Sequence, residues 1–110
     1  MSTTIANFNH QYQFAALDTY VYTVQTAGTK RISVRITDAT NVAGLTCVIK
    51  QNTTTLTTVS GTNASDHDLE ANATANFAIN DTFSVVVTST AASDSGPNQI
   101  RGTIILDGNI

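Results

Sequence analysis

The sequence predicts an all-β fold, an antiparallel β-sandwich of about eight strands. Composition points there first: Thr occurs 20 times and Asn 10 times, while Glu occurs once (Glu70) and Lys twice (Lys30, Lys50). Strands favour Thr, Val, Ile, Tyr and Phe, whereas helices favour Leu, Glu, Lys and Gln. Apolar residues also recur every second position along most of the chain, the period of a half-buried strand. Turn residues then interrupt these runs about every 8–12 residues, the spacing of a sandwich or barrel.

Each element follows from its own residues. In residues 8–16, Phe8, His10, Tyr12, Phe14 and Ala16 alternate with Asn9, Gln11 and Gln13. Tyr20, Tyr22 and Val24 alternate with Val21, Thr23 and Gln25, and Ala27-Gly28 supplies a turn. The third strand is the clearest, with Ile32, Val34 and Ile36 inward and Arg31, Ser33 and Arg35 outward. Asp38–Asn41 and Gly44 read as a loop. Leu45, Cys47 and Ile49 form the inward side of a fourth strand, which ends at a Gln51-Asn52 turn. Residues 53–59 are a fifth, Thr-rich strand, best placed at a solvated sheet edge.

After a loop at 60–65, the odd positions from Leu69 to Ile79 are apolar and the even positions from Asp68 to Asn76 are polar. Helical spacing fits that stretch badly despite its alanines. Asn80-Asp81 is a tight turn. Residues 82–89 carry Phe83, Val85 and Val87 on one face and Val86 on the other, an apolar density that predicts a central strand. A loop at 91–97 precedes the last strand, 99–106. The expected organisation is therefore one domain over 8–110, preceded by an N-terminal arm, 1–7.

Size permits a self-sufficient core. A chain of 11.6 kDa exposes roughly 5,800 Å² folded against roughly 16,800 Å² unfolded. Charged residues are only 12 % and the net charge is −3. Five scattered basic residues give no phosphate-binding stripe, which argues against nucleic acid. No apolar run approaches the ~20 residues of a membrane helix, and the N-terminus has no secretory pattern. The single Cys47 excludes an internal disulfide and reads as a small core residue.

Chemistry-bearing patterns are sparse. Asp66, Asp68 and Glu70 share one strand face and are the densest set of hard-cation ligands, yet no Ca²⁺-loop pattern accompanies them, so they read as a solvated outer face near a loop. His10 and His67 stand where apolar residues are expected, as interface or packing groups. Zinc spacings, nucleophile elbows and phosphate-binding glycine loops are missing. Glycosidase chemistry has one Glu available, and there is no Trp to stack on sugar. The expectation is a non-enzyme with no cofactor and no metal. Four Asn-x-Ser/Thr sequons, at Asn52, Asn63, Asn72 and Asn80, are close to the number that chance gives at this composition. Arg101-Gly102-Thr103 is read as strand, with the glycine where another backbone approaches.

Tyr22–Val34, a Tyr-containing strand, a glycine turn and a second alternating strand, resembles an early unit of C1q/TNF-like jelly rolls. Ile79–Val87 is similar to the late turn of that group, with Asn80 in place of its usual glycine, and Gly102–Leu106 to its closing strand. The resemblance implies a jelly-roll β-sandwich. The whole chain, small, rich in Thr, Asn, Ala and Ser and poor in charge, also resembles capsid decoration (cement) proteins of tailed bacteriophages, as does the run at Thr88-Ser89 and 98–105. This second resemblance implies a virion protein that is made in the host cytoplasm and sits on the capsid surface. Its partners would be the major capsid protein and copies of itself, as a homotrimer. Candidate interface residues are the aromatics beyond the needs of one small core, Phe8, Tyr12, Tyr20 and Tyr22, since Tyr suits interfaces; ordinary core packing is the competing reading for each. A carbohydrate- or host-binding module of a tail fibre, or a tail-associated adaptor, is the alternative.

Overall fold

The computed structural model describes residues 2–12, 15–40, 42–61, 69–91 and 98–110. Eight strands follow one another in the chain: β1 (Ser2–Tyr12), β2 (Ala15–Thr23), β3 (Gly28–Thr40), β4 (Val42–Gln51), β5 (Thr54–Gly61), β6 (Leu69–Phe77), β7 (Thr82–Ala91) and β8 (Asn98–Asp107). They form two four-stranded antiparallel sheets, ordered β1-β8-β3-β6 and β2-β7-β4-β5. This interleaved order is that of a jelly roll: consecutive strands alternate between sheets, apart from β4 and β5, which pair as a hairpin.

The core is the inward set of the alternation. Ile32, Val34 and Ile36 of β3, Cys47 and Ile49 of β4, Phe83, Val85 and Val87 of β7 and Ile100, Ile104 and Leu106 of β8 are all buried. Phe83 joins the aromatics: its ring stacks on Tyr22 at 5.1 Å and meets the edge of Phe77 at 5.9 Å. The apolar β7 is central in its sheet, and the Thr-rich β5 is an edge strand.

Two boundaries differ from expectation. Asp38–Thr40 is not a loop: β3 continues through it, because a register shift between Ile36 and Asp38 lets Asp38 pair with Arg101. Gly44 likewise lies inside β4, at a register shift between Val42 and Gly44. A bulge absorbs one extra residue without ending a ladder. Residues 2–7, where an arm is expected, lie in β1 and pair with β8 from Ser2↔Asp107 onward.

One end of the sandwich is tied by its turns. Asn52 and Asn80 take the left-handed conformation, with φ of 52° and 74°, which short amide side chains tolerate. The Asn52 amide N–H donates to the Thr82 carbonyl at 2.8 Å, and the Thr82 N–H donates to the Asn52 side chain at 2.9 Å. Asp81 accepts from the Ala78 N–H at 2.9 Å and from Asn52 Nδ2 at 3.2 Å. Val24 donates to the Asp81 carbonyl, and Gln25 and Thr26 both donate to the Ile110 carbonyl.

Candidate interaction surface

The two outer faces of the sandwich differ in chemistry. On the β1-β8-β3-β6 sheet, Arg31 stands in register with Asp107 and Arg35 with Glu70. Arg35 Nη2 approaches Glu70 Oε2 at 3.4 Å. Opposite charges on adjacent strands contribute a few tenths of a kcal/mol to about 1 kcal/mol each. This face is a mosaic of both signs.

The outer face of β2-β7-β4-β5 is built from Thr, Val, Leu and Ser. Thr19, Val86, Val48 and Thr58 make one row across all four strands, and Leu17, Thr88, Thr46 and Ser60 make the next. Lys50 is the one ionisable group on this face among the described residues. Leu17 is 67 % exposed and Val21 60 %. Thr46 Oγ1 and Ser60 Oγ lie 3.3 Å apart. Gly44, Thr46, Thr88 and Ser89 line a notch of about 140 Å³, below the roughly 300 Å³ of small-molecule pockets. A broad face with exposed aliphatics and one charge, Lys50, suits a protein partner, since interface centres are depleted of charge.

The expected interface aromatics divide. Phe8 is buried at 6 % and packs in the core, its ring centroid 5.4 Å from that of Tyr20. Tyr20 and Tyr22 are half-buried on the inward side of β2, packed against the core. Burial raises both phenols above their ordinary value, and the Asp18 carboxylate adds to the shift at Tyr20. Tyr12 ends β1, and its side chain lies outside the described residues, as do Asp66, His67 and Asp68. Glu70 is exposed and accepts from Asn72 Nδ2 at 3.2 Å. Among the described residues no group of three metal-ligating side chains converges.

His10 Nδ1 and Asp18 Oδ2, 2.6 Å apart, join β1 to β2 across the gap between the sheets. Cys47 is fully buried, and burial pushes its thiol up to about 12. The exposed aliphatics Leu17 and Val21 are absent from the sequence-based candidates. The signal for Val21 is present, however: if Tyr20 and Tyr22 point inward, Val21 points out.

The chain matches no protein-family model and no curated protein. Among the described residues no helix is long and apolar enough to cross a membrane.

Proposed function

We propose that this chain is a non-enzymatic structural protein of a phage virion, which binds the outer capsid surface and stabilises the shell. The observation that carries the reading is the outer face of β2-β7-β4-β5, where Leu17, Val21, Val48 and Val86 stand among threonines. A rigid sheet presents such a face without ordering cost, so its burial goes largely into binding. A protein that binds only the assembled shell stabilises it by mass action. The resemblance to decoration proteins supplies the partner, the major capsid protein. It also supplies a homotrimeric state, which light scattering on the free protein decides.

The test is co-sedimentation with undecorated phage capsids. Saturable binding at a fixed ratio to shell subunits is expected. Val86→Lys, at the centre of this face, lowers the affinity at least tenfold while leaving the melting temperature of the free protein within a few degrees. A folded wild-type protein that stays in the supernatant at every shell concentration refutes the reading.

A further inference from the structure

We propose that the free edge of β2 is a two-fold pairing site for a second copy of this chain. A sheet edge offers a row of unpaired backbone donors and acceptors, and proteins blunt such edges with bulges, lysines, prolines or covering elements. The sandwich has four edge strands. β1 carries a register shift between Thr4 and Ala6, and the β4–β5 ladder carries one between Ile49 and Lys50. β6 packs beside β5 across the sandwich and sets Glu70, Asn72, Thr74 and Asn76 outward. Among the described residues β2 is the least protected of the four, its contact with β1 resting on the His10–Asp18 and Phe8–Tyr20 pairs. It pairs with β7 over nine consecutive residues without a shift, and it contains no Lys, Arg or Pro. The charged residue it does contain, Asp18, is drawn toward His10 of β1.

The sequence of β2 is self-complementary when antiparallel. With the two-fold axis at Thr19, Leu17 of one copy stands opposite Val21 of the other, twice over. Both highly exposed aliphatics of the strand then pack side by side with one from the second copy, and apolar cross-strand pairs are stabilising. Asp18 faces Tyr20 of the second copy. Moving the axis one residue, to Asp18, would set two carboxylates directly opposite each other, which is unfavourable. For a chain of net charge −3, the Thr19-centred register brings no like charges directly opposite each other. The result is a continuous eight-stranded sheet through both molecules. An edge contact of nine residues is small beside an obligate dimer interface, so the dimer fraction rises with concentration. The inference does not depend on shell binding, and it gives a closed dimer in place of a trimer.

The experiment combines light scattering with disulfide trapping. A concentration series is expected to rise from one 11.6 kDa chain to two, and Val21→Lys is expected to remove the rise. Residues directly opposite in an antiparallel pair have Cα atoms about 4.5–5.5 Å apart, within disulfide reach. Thr19→Cys is therefore expected to form a disulfide dimer at least tenfold faster than Thr58→Cys, which is exposed on the β5 edge. Buried Cys47 contributes little background. A mass that stays at one chain throughout, a dimer or trimer that survives Val21→Lys, or equal trapping at the two positions overturns the inference.

Discussion

The ring of Phe8 occupies the space that a side chain on Gly102 would need. The two residues are paired across β1 and β8, and a Cβ built on Gly102 lies 2.6 Å from Phe8 Cζ and 2.5 Å from the Arg35 carbonyl oxygen. Neither neighbour is free to withdraw: one is a core ring, the other is backbone of β3. Gly102→Ala is expected to lower stability by about 1–3 kcal/mol, the usual cost of overpacking. Adding Phe8→Leu recovers part of this loss, because only one of the two clashes is relieved, so the effects are non-additive. Urea midpoints of the two single variants and the double variant measure it; full additivity would contradict the contact.

Lys30 is 2 % exposed, and its ammonium donates to the Asn109 carbonyl and to Thr26 Oγ1. It fastens residues 109–110 to the β2–β3 turn. Lys30→Met keeps the aliphatic stem and leaves the Asn109 carbonyl without this donor. The expected loss is about 1–3 kcal/mol. Amide exchange should accelerate first at Gln25 and Thr26, whose N–H groups bond to Ile110.

Asp81 is held below its ordinary value of 3.8 by the Ala78 N–H, then by the Asn52 amide, with Gln51 adding a smaller contribution. A carboxyl depressed in the folded state binds its proton more readily when unfolded. Its contribution is therefore present above the unfolded value and lost as pH falls through the folded one. Asp81→Asn is expected to lower the melting temperature at pH 6 and to flatten its decline below about pH 4. Melting curves across that range test both. An unchanged acid limb would assign the decline to other carboxylates.

Cys47 reacts as a thiolate or hardly at all. With its thiol pushed up to about 12 and its side chain fully buried, it should resist a thiol reagent at neutral pH until the protein unfolds. Labelling is expected to be at least a hundredfold slower in buffer than in denaturant. Comparable rates would place Cys47 at the surface.

The strands were legible where alternation is unbroken. Ile32, Val34 and Ile36 sit inward and Arg31 and Arg35 outward, as their spacing predicts, and both the central place of β7 and the edge place of β5 follow from composition. Alternation fails as a guide at a bulge, because one extra residue inverts the pattern. That is why Asp38 and Gly44 read as loop although they lie inside β3 and β4. Residues 2–4 carry short polar side chains, and only the pairing with β8 identifies them as strand. The candidate surface was half legible. Aromatic residues drew attention to Phe8, but a ring of that size opposite a glycine fills the core. The exposed positions on β2 follow from which face the tyrosines take, and sheet order is long-range information.

The strand order also bears on how the chain is made. β8 lies between β1 and β3, and β7 lies between β2 and β4. A nascent chain that has released β6 but not yet β7 and β8 therefore holds two split half-sheets, β1 apart from β3-β6 and β2 apart from β4-β5. Neither sheet can close until its central strand, β7 or β8, has emerged. Long-range pairing of this kind is slow to form and leaves edges open meanwhile. A ribosome stalled before residue 82 would present a chain that lacks both central strands, with the hydrophobic faces of β1 to β6 only partly covered.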